Sequence, residues 1–118
     1  MSKVINDKLD SLSKSKFRSS FHLNKKMKAY VEEKGYDTLR SHAYDFINER
    51  LKVIQPNDGK QTPMRQVHPV FIAQHACACC CRGCIEKWHH IPKDKVLTDK
   101  DISFLIELMM EWIKREMI

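Results

Sequence analysis

The scarcity of turn residues most constrains the fold, because the 118-residue chain contains only three glycines and four prolines. An antiparallel sandwich or barrel needs turn signals about every 8–12 residues, and this chain does not supply them at that density. Apolar residues instead recur three and four positions apart, which is the spacing of one helix face. The sequence therefore predicts a mainly α protein, a compact bundle of about four to six helices.

Local signals place four of these helices. Asn24 and Gly35 are suited to cap the start and the end of one helix, because an asparagine side chain accepts a backbone N–H and glycine tolerates the conformation after a last turn. Thr98 and Asp101 have the spacing of a capping box at the start of the last helix. The predicted helices cover residues 4–12, 25–34 and 38–54, the last of these following Asp37, and a stretch that begins after Thr98.

A long loop is predicted over residues 55–66, which contain two prolines and the sequence Asn-Asp-Gly. The length of the chain fits one domain. Residues 1–28 carry eight Lys/Arg against two Asp, which accounts for the whole net charge of +6. We therefore expect residues 1–16 to form a basic, flexible N-terminal segment and residues 17–118 to form a single helical domain.

The basic N-terminal part suggests contact with phosphate, although a solvated helix face has the same composition. The chain has no recognised helix-turn-helix or RNA-binding signature, so we rank nucleic acid as an accessory partner. The candidate nucleic-acid contacts are Lys14, Lys16, Arg18, Lys25, Lys26 and Lys28. The sequence leaves the oligomeric state and any other partner open.

The apolar residues are too dispersed for a membrane span, which needs about 18–20 consecutive apolar residues. The first residues also lack the apolar core of a secretory signal. We therefore expect no membrane association and a cytoplasmic location. In a reducing cytoplasm, clustered cysteines favour a metal site or catalysis over a disulfide framework.

All five cysteines lie between Cys77 and Cys84, and four of the six histidines flank them. Residues 81–84 form a C-x-x-C motif, in which two thiolates can turn toward one cation. Zinc takes four nitrogen or sulfur ligands, so two more must come from Cys80 and the flanking histidines. The predicted metal ligands are drawn from Cys80, Cys81, Cys84, His75 and His89, and the choice among these five stays open.

Zinc is the cofactor that these donors favour, and an iron–sulfur cluster ranks below it because the established cysteine spacings are absent. His68 precedes His75 by seven residues, about 10.5 Å along a continuous helix, so the two cannot reach one ion. Cys77 and Cys79 are predicted to be small buried hydrophobic residues. The residues predicted to line the site are His68, Arg82, Trp88, Asp58 and Lys60.

The stretch Cys80-Cys81-Arg82-Gly83-Cys84, with residues 57–63, 68–76 and 87–89, resembles the small prokaryotic family catalogued as Domain of Unknown Function 4186. Residues 17–19 and 21–23 fit that family as well, so the resemblance runs from Phe17 to the last helix. The family carries hydroxyl residues at positions 77 and 79 and glycine at position 67, where this chain differs. The resemblance supplies no activity, but it implies one site that contains His75, Cys80, Cys81, Arg82, Cys84, Trp88 and His89.

Two kinds of function remain open at this point. The first is a zinc-binding helical protein whose metal is mainly structural, with nucleic acid as an accessory partner. The second is an enzyme in which cysteine, histidine and arginine surround a pocket that uses a catalytic metal or a thiol nucleophile. In that case the loop at residues 55–66 would be the substrate loop.

Overall fold

The computed structural model describes residues 2–54, 56, 58–59 and 61–118, and this part of the chain is helical without a β-strand. A short 3-10 helix, Arg18–Ser20, follows the first α-helix. The prediction of an all-helical bundle is confirmed. The α-helices are α1 (Ser2–Ser13), α2 (Lys25–Lys34), α3 (Tyr36–Arg50), α4 (Pro69–Ala76), α5 (Arg82–His89) and α6 (Asp99–Glu116).

Helix α6 lies at the centre of the bundle and packs against α1, α3 and α4. Its start is fixed by the predicted capping box, in which Thr98 and Asp101 exchange side-chain-to-backbone hydrogen bonds of 3.0 Å. No helix in the described residues has both the length and the apolarity to cross a membrane. The face of α6 that turns to the core buries Ile102, Leu105, Ile106, Leu108, Met109, Met110 and Ile113.

Helix α1 occupies most of the segment that we expected to be flexible. Its residues Ile5, Leu9 and Leu12 are buried in the same core as the rest of the bundle. The ammonium group of Lys8 also donates a 2.8 Å hydrogen bond to the Trp88 carbonyl oxygen on α5. The N-terminal helix is therefore attached to the helical body by apolar packing and by at least one polar contact.

The link between α2 and α3 follows the signals at Asn24 and Gly35, but Asp37 lies in the first turn of α3 and does not cap it. The Asn24 side chain accepts a hydrogen bond from the Met27 amide at 2.8 Å, as predicted for an N-cap. Gly35 adopts φ +83°, a conformation that glycine reaches without steric cost, and α3 begins at the next residue. Helix α3 was predicted to continue to residue 54 but ends at Arg50, and the carbonyl groups of the next three residues accept hydrogen bonds from Arg82.

The segment between α3 and α4 contains the predicted loop. Gln55, Asn57 and Lys60 lie outside the described residues. The Thr62 hydroxyl donates a 2.8 Å hydrogen bond to the carbonyl oxygen of Cys80, so the loop packs directly on the cysteine segment.

Candidate metal centre

The chain reverses direction between α4 and α5 and presents three cysteines together. Ala78 adopts φ +57°, and the Cys79 amide donates to the Gln74 carbonyl at 2.7 Å, which closes the turn after α4. Helix α5 then begins at Arg82. The sulfur atoms of Cys80, Cys81 and Cys84 all lie within 4.8 Å of one another. These three residues form an arrangement that could hold a metal ion, and they are called the three-cysteine site below.

The C-x-x-C motif sits at the N-terminus of α5. Cys81 is the N-cap residue, and its sulfur accepts a 3.4 Å hydrogen bond from the Cys84 amide. The Cys81 and Cys84 sulfurs are only 3.1 Å apart. The positive end of the helix dipole favours negative charge here, so this position stabilises thiolates.

Gly83 allows the loop between α3 and α4 to approach this helix end. Its amide donates to both carboxylate oxygens of Asp58, at 3.0 and 3.1 Å. A Cβ atom at position 83 would lie 2.6 Å from Asp58 Oδ2, which is too close for the present contact. Asp58 therefore lies next to the helix N-terminus that carries the three-cysteine site.

Arg18 is the cation closest to the sulfurs. Its side chain is 7% exposed, and its guanidinium donates to the Cys80 sulfur at 3.5 Å and to the Cys84 sulfur at 3.1 Å. A third hydrogen bond of 2.7 Å runs to the His75 carbonyl oxygen. Arg18 was predicted as a nucleic-acid contact, and this prediction is corrected because the guanidinium faces the three-cysteine site and not the surface.

The hydrogen bond between Cys84 and Cys80 gives these two thiols different roles, with Cys84 as the donor and Cys80 as the acceptor. The pKa of Cys80 is lowered, chiefly because its thiolate accepts from Cys84 and also because it accepts from Arg18. The pKa of Cys84 is raised because its thiol donates this hydrogen bond to Cys80, and also because burial disfavours its thiolate. Burial raises the pKa of Cys81. In the metal-free site, Cys80 is therefore the preferred thiolate.

The hydrogen bonds to Cys80 and Cys84 also keep the Arg18 guanidinium protonated. Burial acts to lower the pKa of its guanidinium, but the hydrogen bonds to Cys80 and Cys84 outweigh that effect and raise it. Arg18 thus remains a fixed positive charge beside the three sulfurs.

The two histidines predicted as ligands do not join the three-cysteine site. His75 Nε2 donates to the Pro63 carbonyl at 3.0 Å, and its ring stacks on Phe21. His89 Nε2 donates to the Cys77 carbonyl at 2.9 Å. Burial lowers the pKa of both rings, that of His89 to about 4. In this arrangement both imidazole rings stabilise the backbone near the site by hydrogen bonds to carbonyl groups.

Cys77 and Cys79 match the prediction that they are buried hydrophobic residues. Both are fully buried among the core residues, and burial raises the pKa of both thiols. The Cys79 thiol donates to the Cys77 carbonyl at 3.5 Å. They therefore provide an internal comparison for the three clustered cysteines.

His68 lies at the other end of α4, where it is the N-cap. Its Nδ1 accepts from the Val70 amide at 3.0 Å, which places the ring proton on Nε2. Nε2 faces His42 Nδ1 at 3.0 Å and the Tyr30 hydroxyl at 3.4 Å. This network is separate from the cysteines, so the prediction that His68 lines the three-cysteine site is corrected.

Of the remaining predicted lining residues, Arg82 has a structural role. It is 1% exposed, and its guanidinium donates to backbone carbonyls of two segments, the one that follows α3 and the one that follows α5. Trp88 is half-buried against the core, and Lys60 lies outside the described residues. The carbonyl groups that accept from Arg82 are those of Leu51, Lys52, Val53, Pro92 and Lys95.

The predicted nucleic-acid contacts other than Arg18 lie on or near the surface. Lys28 is half-buried, and the other four lysines are exposed, namely Lys14, Lys16, Lys25 and Lys26.

Fold and site together define a class, an all-helical protein in which three cysteines at a helix N-terminus could hold a metal ion. The family model described as Domain of unknown function (DUF4186) matches residues 6–114, which is nearly the whole chain. The chain belongs to this family. No solved structure matches it.

Proposed function

We propose that the protein binds one zinc ion through the thiolates of Cys80, Cys81 and Cys84. The observation that carries this proposal is the mutual approach of the three sulfurs to within 4.8 Å. Zinc–sulfur bonds of about 2.3 Å in a tetrahedral site place the sulfurs roughly 3.8 Å apart. The thiols thus need to move by no more than about 1 Å to bind one ion.

The surroundings of the sulfurs support zinc over an iron–sulfur cluster. Such clusters are usually held by four cysteine thiolates, and the other two cysteines of this chain are fully buried in the core. Three thiolates on a divalent ion carry a net negative charge, which the buried guanidinium of Arg18 offsets. A cytoplasmic location, as predicted, would keep these thiols reduced.

Zinc at the three-cysteine site would have one coordination position without a ligand from the described residues. Within the described part of the chain, no other Cys, His, Asp or Glu joins the three sulfurs. Zinc with three protein ligands and an open position is typical of catalytic centres, whereas structural sites are closed. This favours a metal-dependent enzyme as the second candidate function, with Asp58 and Thr62 bringing the predicted substrate loop to the site.

Metal analysis of purified variants tests the zinc proposal. We expect about one zinc per chain in the wild type, and loss of that zinc in Cys80→Ala and Cys84→Ala. Cys79→Ala is the matched control, since it removes a neighbouring thiol that is buried in the core and should leave the zinc in place. Wild-type protein that holds neither zinc nor added cadmium would refute the proposal, and equal loss in all three variants would show that folding alone was affected.

The nucleic-acid contact stays a separate prediction that concerns the exposed lysines Lys14, Lys16, Lys25 and Lys26 and the half-buried Lys28. Titration of a labelled duplex and of a single strand at increasing salt tests it. Binding through phosphate would weaken linearly on a logarithmic salt scale. The absence of binding to either probe at low salt would dismiss it.

A further inference from the structure

We propose that Cys81 and Cys84 form a reversible disulfide, and that peroxide oxidation of this pair releases the metal ion. The inference rests in part on the proposed zinc site, because it predicts how that site is emptied. It concerns a dithiol–disulfide couple within the three-cysteine site and a peroxide as its oxidant.

The first argument is the distance between the two sulfurs. They are 3.1 Å apart, which is closer than the roughly 3.8 Å expected for two thiolates on a tetrahedral zinc ion. A disulfide bond of about 2.05 Å therefore requires an approach of only about 1 Å. Gly83 between them adds no side chain that would oppose this movement.

The second argument is the access of an oxidant. Cys84 is half-buried, whereas the other four cysteines are buried. The Arg18 guanidinium donates to the Cys84 sulfur at 3.1 Å, and a zinc ion bound at the site would hold that sulfur as a thiolate. Peroxide thus meets Cys84 first, and Cys81 is the nearest thiol that can react with the oxidised sulfur.

The third argument is that the alternative pairings fit less well. Cys80 and Cys81 are adjacent in sequence, which strains a disulfide. Cys80 is also held by the hydrogen bond from Thr62 to its carbonyl group and by the one from Arg18 to its sulfur. The pairing of Cys80 with Cys84 is the remaining competitor, and the experiment below distinguishes it.

The chemistry balances with one peroxide for each disulfide. As a zinc ligand Cys84 is a thiolate, which attacks one peroxide oxygen and becomes a sulfenic acid, and hydroxide leaves and takes up a proton to form water. The Cys81 thiolate then attacks the Cys84 sulfur, the S–S bond forms, and a second hydroxide leaves and is protonated. Two thiolates, one hydrogen peroxide and two protons thus give one disulfide and two water molecules.

The loss of the metal follows from the ligand count. Disulfide formation removes two of the three thiolates and leaves Cys80 alone. Across the described residues, no further Cys, His, Asp or Glu lies in the group to replace them. A dithiol reductant reverses the step by thiol–disulfide exchange and restores the three-cysteine site.

The experiment treats the zinc-loaded protein with one equivalent of hydrogen peroxide. Zinc release is followed with a chromogenic chelator, and disulfides are mapped by mass spectrometry. We expect about one zinc released per peroxide consumed, a Cys81–Cys84 disulfide, and recovery of zinc binding after dithiothreitol. Cys79→Ala is the control variant and should behave as the wild type.

Peroxide treatment of metal-free protein separates this inference from the zinc proposal. A Cys81–Cys84 disulfide in a protein that never binds zinc would refute the zinc proposal and the release step, and would retain only the dithiol couple. Stoichiometric zinc that stays bound after oxidation would overturn the inference and leave the zinc proposal intact. A Cys80–Cys84 disulfide, or oxidation that dithiothreitol cannot reverse, would also overturn it.

Discussion

Arg18 lies among exposed lysines in sequence, yet its guanidinium is buried against the sulfurs of Cys80 and Cys84. Charge composition treats all basic residues of the segment alike, so it assigned Arg18 to the surface. The signal that distinguishes it is the pair Phe17 and Phe21, whose rings are in contact and which continue the packing to His75. The phenylalanines at positions 17 and 21 are thus the sequence signal that could have separated Arg18 from the lysines.

The three-cysteine site could be predicted, whereas the roles of the two histidines could not. The C-x-x-C motif is a local signal at the start of a helix, and Cys80 is next to it in sequence. His75 and His89 instead donate to the carbonyl groups of Pro63 and Cys77, each 12 residues away. These partners depend on how the turn and the loop pack, which spacing along the sequence does not reveal.

Because Gly83 contacts Asp58, we predict that the effect of Gly83→Ala on the free energy of unfolding changes sign when Asp58 is replaced. Gly83→Ala should destabilise the wild type by about 1 kcal/mol, because the added methyl group displaces the Asp58 carboxylate from the helix N-terminus. In an Asp58→Ala background the same change should stabilise by roughly 0.5–1 kcal/mol, since alanine favours a helix over glycine. Urea unfolding of the four proteins measures the coupling, and equal effects in both backgrounds would contradict it.

At the scale of the elements, the starts of α2 and α6 were predictable, whereas both ends of α3 differ from the prediction. Asn24 and Thr98 accept the expected backbone hydrogen bonds, because caps act within three residues. Helix α3 stops earlier than predicted, and Arg82, about 30 residues later, binds the carbonyl groups of the three residues after the helix. A residue so distant in sequence gives no local signal at that helix end.

Arg82 should therefore be important for stability through its planar fork of donors. Arg82→Lys keeps the charge but has fewer donors, so carbonyl groups around this buried side chain lose a hydrogen bond, and we expect a loss of about 2–4 kcal/mol. Arg115→Lys is the control, because the Arg115 ion pairs with Asp10 and Glu111 are exposed and contribute little. Thermal or urea unfolding provides the comparison, and similar losses in both variants would contradict this role.

At the scale of the whole molecule, α6 connects the N-terminal helix to the helices that carry the site. Its amphipathic pattern was clear from the sequence, and the face that turns to the core is buried as predicted. The basic composition of the N-terminal segment concealed that α1 packs into this core through Ile5, Leu9 and Leu12. Net charge describes solvent-facing residues and says little about an apolar stripe between them.

Helix α1 should accordingly contribute to global stability. Leu9→Ala leaves a cavity under α1, and we expect a loss of about 2–5 kcal/mol in the free energy of unfolding. Val4→Ala on the same helix is the control, because Val4 is 57% exposed and its removal should cost about 0.5 kcal/mol or less. If Leu9→Ala unfolds at the same urea concentration as the wild type, α1 does not share the core.

The half-buried histidines His68 and His89 predict the acid response of the metal-free fold. Burial lowers the pKa of both His68 and His89 from 6.5 to about 4. The unfolded chain binds these protons more readily, so stability is full above pH 6.5 and falls between pH 6.5 and 4. We expect a decrease of a few kcal/mol by pH 4 in urea unfolding. The double variant His68→Asn/His89→Gln should show a shallower decline, and an unchanged slope would contradict the assignment.

X-ray absorption of the zinc-loaded protein tests the central claim most directly, because it counts the sulfurs around the ion. The three-cysteine site predicts three sulfur ligands at about 2.3 Å and one lighter oxygen or nitrogen ligand without the scattering pattern of an imidazole ring. Two sulfurs with two imidazoles would instead restore His75 and His89 as ligands. That result would contradict the account of a three-thiolate centre with an open fourth position.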